Sequence, residues 1–243
     1  SKIAKYAQIY GNYGFKSCFN SQSPHKVNNT SYPQYKIKPD IWNMVGFFLL
    51  NNNTSHPEYN LRHFSSKIHQ IIENINNGEG IAYIYSEKKD IGAVSVALAL
   101  EMNGYVRYSS NLTRAQTTNP KSRQSLPKEC FLLNIEGQDG KWPKNNFRCS
   151  VCNKLKDDCS KDSSHSFNLA TYVLVTGTDG TIKDIEPAVN ENKDGNRVRV
   201  VIGTKVTGQG VDFRWIRQVH ILDPWHNNTS LSYSSYVIYR IFI

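Results

Sequence analysis

The segment 149–165 reads CSVCNKLKDDCSKDSSH and holds four side chains that can bind a soft metal ion. Cys149 and Cys152 form a Cys-x2-Cys knuckle, and Cys159 and His165 follow it. Thiolate and imidazole groups at such spacing are typical of tetrahedral zinc sites. Four protein ligands would leave no open coordination position, so the sequence predicts a structural zinc site and not a catalytic one. The alternative is that these cysteines are free thiols in a reducing compartment.

The second candidate for chemistry is the glycine-rich loop GTKVTGQGVD at 203–212. Thr204 and Lys205 offer a hydroxyl and an ammonium group to phosphates. The glycines, Gly210 among them, let the backbone approach a ligand where a Cβ would collide with it. The Asp212 carboxylate could accept a hydrogen bond from a sugar hydroxyl. The alternative is a turn between two strands that uses glycine only for its geometry.

Four short apolar runs predict the strands that position these residues. They lie at 81–87, 171–177, 197–204 and 218–223. Near-continuous apolar strands, with little strict alternation, favour a parallel sheet that is covered on both faces. Residues at helical spacing from Leu61 to Ile75, and the apolar run 91–105, predict covering helices. The expected fold is therefore α/β, with a mainly parallel sheet in a three-layer lobe.

Polar residues follow the predicted strands directly. Ser86, Thr204, Lys205 and Asp223 lie at or just after strand ends. In open α/β sheets, ligands bind in the crevice beyond the carboxyl ends of the strands. The sequence therefore predicts a ligand site at this edge of the sheet.

The pattern along the chain divides it into regions. Residues 1–60 are rich in Asn, Ser, Tyr and Pro and are predicted to be an N-terminal extension or connector. Residues 61–243 are predicted to form the α/β lobe. The polar stretch 107–170 interrupts the alternation of helices and strands, and it carries most of the cysteines, so we expect it to be a Cys/His-containing insertion.

The charge of the chain favours a polyanionic partner. The formal net charge is +9, and the sequence pI is about 9.2. Nucleic acid is the leading candidate partner for such a protein. The apolar run 41–50 is too short to cross a membrane and is not a signal peptide, so no membrane partner and an intracellular location are expected.

The stretch FRWIRQVH at 213–220 places arginines between aromatic residues. Guanidinium groups beside aromatic rings can bind a nucleic-acid strand through phosphate contacts and stacking. The alternative, which the pattern favours slightly, is that Phe213, Trp215 and Ile216 belong to the core and the arginines are solvated.

The longer stretch VVIGTKVTGQGVDFRWIRQVHILDPWHN at 200–227 resembles motif V and the following strand of superfamily 2 helicases. More narrowly, it is similar to the poxvirus nucleoside triphosphate phosphohydrolase I and early transcription factor group of large nucleocytoplasmic DNA viruses. The stretch 61–87 resembles the helix and motif IV strand that open the second RecA-like lobe. SVALALEMNGYVRY and ATYVLVTG resemble the helix and strand that follow.

This resemblance implies roles for particular residues. Ser86, Thr204 and Lys205 are expected to face the nucleic-acid backbone, DNA more than RNA. Gly210 and Asp212 are expected near the nucleotide in the cleft between two RecA-like lobes. A viral protein of this kind would act in replication or transcription, in the host cytoplasm or the virion.

The motifs that would hydrolyse ATP are not found in the 243 residues. There is no GxxxxGK(S/T) loop and no DExD/H box for Mg²⁺, both of which the family carries in its first RecA-like lobe. The tail 228–243 also lacks the arginines of motif VI. ATP and Mg²⁺ are therefore expected to bind only together with a first lobe, in the same parent protein or in a separate chain. The alternative is a non-catalytic module, derived from such a lobe, that binds nucleic acid or protein.

Overall fold

The computed structural model of the chain describes residues 11–27, 30–42, 50, 60–135, 146–161, 164–176, 182–205 and 213–223. Helix α1, Gly11–Cys18, leads into an antiparallel hairpin of β1, Phe19–Val27, and β2, Thr30–Ile37, and then into the short helix α2, Pro39–Trp42. The composition of this stretch does not predict a hairpin, because β2 contains a proline and neither strand shows a clean alternation of apolar residues.

The helical pattern from Leu61 onward is divided into two helices by a serine. Helix α3 is Leu61–Phe64 and α4 is Ser66–Asn77. Ser65 lies between them with extended backbone, and its hydroxyl accepts a hydrogen bond from the Ile68 amide at 3.3 Å, so it caps the start of α4. The second predicted helix is a π-helical turn, Lys89–Val94, that continues as α5, Ser95–Met102.

Five parallel strands form the central sheet. They are β3, Ile81–Tyr85; β4, Val106–Arg107; β5, Thr171–Val175; β6, Val200–Gly203; and β7, Ile216–Ile221. Their spatial order is β4-β5-β6-β3-β7, and each neighbouring pair is parallel. The α/β class and the parallel sheet predicted from the sequence are confirmed.

Alternate residues of the strands enter two separate cores. Ala82, Tyr172 and Val200 point toward the face that α4 and α5 cover, whereas Tyr83 and Val201 point toward the opposite face. That second face is covered by helix α8, Ile182–Asn190, which contains Pro187. Because both faces are buried, the strands read as continuous apolar runs, and the lobe has three layers.

The described part of the insertion contains short helices and little regular sheet. They are α6, Arg114–Thr118; α7, Lys156–Cys159; and two 3₁₀ turns, Arg123–Ser125 and Lys128–Cys130. A third apolar cluster holds the insertion together: Val106, Leu126, Cys130, Phe131, Phe147 and Leu169. Cys18 and Cys130, which lie outside the metal-ligand cluster, are buried.

The hairpin and the insertion are joined by backbone hydrogen bonds. The Tyr35 amide donates to the Leu132 carbonyl at 2.7 Å, and the Asn134 amide donates to the Tyr35 carbonyl at 2.7 Å. Phe19 and Ile37 also enter the core that α4 and α5 cover. The described part of the N-terminal segment therefore packs on the same core as the sheet.

Glu101, on α5, fixes the insertion to the lobe. Its buried carboxylate accepts hydrogen bonds from the backbone amides of Leu132 and Leu133 at 2.6 and 2.9 Å and from the Tyr172 hydroxyl at 2.6 Å. The Arg123 guanidinium lies 3.4 Å from the same carboxylate. One buried acidic group thus connects α5, β5 and the insertion.

Candidate nucleic-acid interface and metal centre

The carboxyl ends of β3 and β7 are held together by Ser86 and Asp223. The Ser86 hydroxyl donates to Asp223 Oδ2 at 2.5 Å, and the backbone amide of Glu87 donates to the same oxygen at 3.0 Å. The Ser86 amide in turn donates to the Gly203 carbonyl at 3.0 Å, which connects β3 to β6. The loop after β3 therefore has a fixed position relative to both neighbouring strands.

Ser86 is fully buried in this arrangement. The resemblance implies that it faces the nucleic-acid backbone, but its hydroxyl here bonds to Asp223 and to the Lys88 carbonyl at 2.9 Å. In this conformation Ser86 orients the loop around it. Gly92 closes the other side, because a Cβ at that position would lie 1.8 Å from the Ser86 oxygen. The importance of Asp223 for this edge is visible only in three dimensions.

Thr204 and Lys205 follow β6 at the same edge of the sheet. Thr204 is buried, and its amide donates to the Val175 carbonyl at 3.2 Å. Lys205 is largely exposed, and its ammonium lies 2.8 Å from Glu87 Oε1. An exposed ion pair of this kind is worth about 0–1 kcal/mol, so a phosphate can replace Glu87 at low cost. The fold thus brings Ser86, Thr204 and Lys205 to one edge, with Lys205 as the accessible cation.

The other two residues of the predicted ligand loop, Gly210 and Asp212, lie outside the described residues. Their expected contact with a nucleotide stays a prediction. The burial of the residues that follow, 213–216, differs from what the sequence predicts. Phe213 and Ile216 are buried in the core, as expected of core residues, but Trp215 is 38% exposed. The interpretation of Trp215 as a core residue is therefore wrong.

The structure brings the four predicted metal ligands together. The ligand atoms of Cys149, Cys152, Cys159 and His165 all lie within 4.8 Å of one another. His165 Nε2 is 3.4 Å from the sulfur of Cys149 and 3.4 Å from that of Cys159. Ligands about 2.0–2.3 Å from a tetrahedral ion are separated by such distances, so three thiolates and one imidazole fit zinc.

A tight turn builds the cysteine knuckle. The Cys149 amide donates to the Lys154 carbonyl at 2.9 Å, and the Asn153 amide donates to the Cys149 carbonyl at 3.0 Å. Asn153 takes up a left-handed backbone conformation with φ of +59°, which asparagine tolerates better than most residues. This turn directs the side chains of Cys149 and Cys152 to the same point.

Hydrogen bonds favour the thiolate form of one ligand. Burial opposes the ionisation of Cys149, but the amides of Asn168, Cys152 and Val151 and the His165 imidazole outweigh it and lower the pKa of Cys149 to about 7. Burial, reinforced by hydrogen bonds with Cys149 and Cys152, raises the pKa of Cys159 to about 12. A metal ion would satisfy both thiols as thiolates.

The knuckle also contacts the parallel sheet. The Ser150 hydroxyl donates to the Asn196 carbonyl at 3.1 Å, just before β6, and the Asn153 side chain donates to the Gly78 carbonyl at 3.4 Å, at the end of α4. The metal centre therefore lies against the amino-terminal edge of the sheet, whereas Lys205 lies at the carboxyl edge.

Comparison with known proteins shows similarity to helicase-like proteins of large DNA viruses. A protein of Acanthamoeba polyphaga mimivirus, whose name assigns it to the ATP-dependent RNA helicases, is 27% identical over 260 residues, which cover 93% of this chain and 20% of the viral protein. A termination factor NPH-I homologue of African swine fever virus is 27% identical over 165 residues, which cover 66% of this chain and 21% of that protein. The chain thus spans about a fifth of the length of each relative.

A further relative in African swine fever virus is an early transcription factor large subunit homologue. It is 31% identical over 90 residues, which cover 33% of this chain and 7% of that protein. No family model and no solved structure matches the chain. The resemblance to viral helicase-like proteins that the sequence motifs predict is confirmed by these relatives.

Among the described residues, no helix is both long enough and apolar enough to cross a membrane.

Proposed function

We propose that this chain is the second RecA-like lobe of a viral superfamily 2 helicase or translocase that uses ATP to move on nucleic acid in replication or transcription. In this proposal residues 61–243 form the lobe, 107–170 are its zinc-binding insertion, and 1–60 are an N-terminal extension. The observation that carries it is the position of Lys205, exposed at the carboxyl edge of a five-stranded parallel sheet. The similarity to viral helicase-like proteins supports the same assignment.

Each residue of the carboxyl edge has a distinct role in this proposal. The exposed Lys205 ammonium binds a backbone phosphate, in exchange for its ion pair with Glu87. Thr204 and Ser86 hold the loops that present it. Gly210 and Asp212 would approach the nucleotide from the adjoining loop, so that this loop couples nucleotide to nucleic acid. The nucleic acid that binds here is expected to be DNA, and RNA is the alternative.

Hydrolysis of ATP requires a first lobe with a phosphate loop and an acidic box, which would bind ATP and Mg²⁺ between the lobes. The 243 residues contain neither motif, so the chain assayed alone is expected to have no ATPase activity above background. The same observation favours the second candidate function, a non-catalytic module that binds nucleic acid or a partner protein.

The Cys149, Cys152, Cys159 and His165 cluster would hold one structural zinc ion. Its bound zinc would supply rigidity and no reaction step, because all four tetrahedral positions are filled by protein. The described residues between 146 and 169 form few regular elements, and metal binding to such a segment contributes directly to its folding.

A direct test measures binding of a labelled single-stranded oligonucleotide to the chain and to Lys205→Ala. Loss of one phosphate contact should weaken binding by up to about tenfold. It should also reduce the number of counterions released on binding by about one, which lowers the slope of affinity against salt. Lys36→Ala, a lysine on β2 away from this edge, is the matched control. The proposal is contradicted when neither DNA nor RNA binds, or when Lys205→Ala and Lys36→Ala behave alike.

A further inference from the structure

A cleft of about 420 Å³ lies at the amino-terminal edge of the sheet, away from Lys205. One wall is the segment that follows β4, with Tyr108 and Arg114. The other wall is the loop between α8 and β6, with Lys193 and Arg197. Because the strands are parallel, the starts of β5 and β6 lie at the edge opposite to the carboxyl-end site.

The side chains in this cleft combine cations with an aromatic ring. The Arg197 guanidinium carbon lies 5.4 Å from the centre of the Tyr108 ring, and Arg197 Nη2 donates to the Tyr108 hydroxyl at 2.7 Å. Arg114 and Lys193 add two further positive charges, against the carboxylates of Glu191 and Asp194. Cations beside an aromatic ring can bind a phosphate and stack a base at the same time.

The metal centre builds the floor of the cleft. Asn168, which lines it, has a backbone carbonyl that accepts from the Ser150 amide at 2.7 Å and a side chain that donates to the Ser150 hydroxyl at 3.1 Å. The same Asn168 amide group donates to the Asn196 carbonyl, on the opposite wall. Asn168 thus connects the cysteine knuckle to the wall that contains Asn196.

Trp215 extends this surface beyond the cleft. It lies directly before β7 in a left-handed backbone conformation with φ of +67°, which is strained for an aromatic residue. Its indole N–H donates to the Asn190 carbonyl at 3.0 Å, and the Lys193 ammonium lies 5.5 Å from the ring. A large, partly exposed ring held by strained backbone beside a cation is unusual for a purely structural residue.

We infer that the cleft and Trp215 together form a binding site for single-stranded nucleic acid, separate from the carboxyl-edge contact at Lys205. The cleft volume is in the range of small-ligand sites and suits one nucleotide unit. Arg114, Lys193 and Arg197 bind phosphates, while Tyr108 and Trp215 offer ring faces to bases. This inference rests on the proposed function only in taking nucleic acid as the ligand, since its residues lie at the other edge of the sheet.

The test measures fluorescence anisotropy of labelled single-stranded dT12 with Lys193→Glu and Arg197→Glu. Each should weaken binding by about tenfold or more and reduce the salt slope, because a phosphate contact becomes a repulsion. Lys26→Glu on β1 and Arg62→Glu on α3 make the same charge changes at exposed sites outside the cleft and should stay within about twofold of the wild type. Melting curves show whether each variant is folded, and Arg197→Lys, which keeps the charge, should retain most of the affinity.

Photo-crosslinking of the wild-type chain with a 5-bromodeoxyuridine oligonucleotide locates the nucleic-acid strand without relying on the folding of a variant. Crosslinks at Tyr108 or Trp215 support the inference. It is overturned when the cleft variants bind like their controls while Lys205→Ala binds weakly, an outcome that leaves the proposed function intact. Absence of binding to the wild type overturns both. Free dTMP that competes as strongly as the oligonucleotide would overturn the single-strand assignment.

Discussion

At the scale of single residues, Asp223 organises the carboxyl edge of the sheet. Its carboxylate accepts from the Ser86 hydroxyl and from the amides of Glu87 and Lys88 at 2.5, 3.0 and 3.4 Å. These three donors come from the loop after β3, whereas Asp223 follows β7. The orientation of that loop therefore depends on an acidic residue at the end of another strand.

We predict that Asp223→Ala lowers the free energy of unfolding by about 1–3 kcal/mol, because the Ser86 hydroxyl and the Glu87 and Lys88 amides each lose a hydrogen bond to the carboxylate. Urea denaturation measures the change. Asp223→Asn keeps one acceptor oxygen and should lose less, and Asp40→Ala, at an exposed position on α2, should be close to neutral. Equal effects of Asp223→Ala and Asp40→Ala would refute this role.

Glu101 has a comparable role at the junction of lobe and insertion. Its side chain is fully buried, and Glu101→Ala would remove the acceptor of the Leu132 and Leu133 amides and the carboxylate that faces the Arg123 guanidinium. We expect a loss of about 3–5 kcal/mol in unfolding free energy. Glu73→Ala, which removes an exposed partner of His69, is the comparison and should cost about 1 kcal/mol or less. A small effect of Glu101→Ala would show that the insertion is anchored elsewhere.

At the scale of elements, the metal centre connects the insertion to the sheet. The knuckle reaches Asn196 before β6 and Gly78 after α4. Its own segment has the four-residue helix α7 and a few isolated bridges. We expect a metal ion bound by the four ligands to add a strong constraint to this segment.

Removal of zinc should loosen the insertion before the rest of the lobe unfolds. We expect purified chain to contain close to one zinc per molecule, and Cys152→Ser to lose most of it. Cys18→Ala, outside the cluster, should keep the metal. Elemental analysis and hydrogen exchange across 146–169 measure the two effects, and unchanged protection after chelation would contradict a structural role.

Four of the five described strands of the sheet and the metal ligands could be predicted from the sequence because each depends on local pattern, whereas the two-residue strand Val106–Arg107 is too short to give one. A buried parallel strand such as Ile81–Tyr85 is apolar throughout, and a Cys-x2-Cys turn brings two thiols together by itself. The hairpin at 19–37 and the cleft could not be predicted, because they depend on contacts between distant segments. Tyr35 pairs with Leu132, and Arg197 meets Tyr108, across many residues of chain.

Trp215 is a residue whose burial could not be predicted from the sequence pattern. The sequence pattern groups Trp215 with the apolar residues Phe213 and Ile216, and only those two are buried. Trp215 has a positive φ and a partly exposed ring, and no feature of the local sequence predicts that backbone conformation. Basic residues around an aromatic residue could serve as a signal that the ring is exposed. Lys193 lies 5.5 Å from the Trp215 ring, and Arg214 precedes it in the chain.

At the scale of the whole molecule, both edges of one sheet carry basic side chains. Lys205 lies at the carboxyl edge, and Arg114, Lys193 and Arg197 lie at the amino edge beside the metal centre. A net charge of +9 is consistent with both surfaces facing a polyanion. The lobe would then contact a nucleic-acid strand over more of its surface than the motif V loop alone provides.

The measurement that tests the central claim most directly is a salt titration of single-stranded oligonucleotide binding to the purified chain. The account predicts that the logarithm of the binding constant falls linearly with the logarithm of salt concentration, with a slope of about −2 to −3 for the phosphates bound by three to four basic residues. DNA and RNA of the same sequence, measured side by side, show which strand is preferred. Binding that is absent at low salt, or that does not change with salt, would contradict a nucleic-acid function for this lobe.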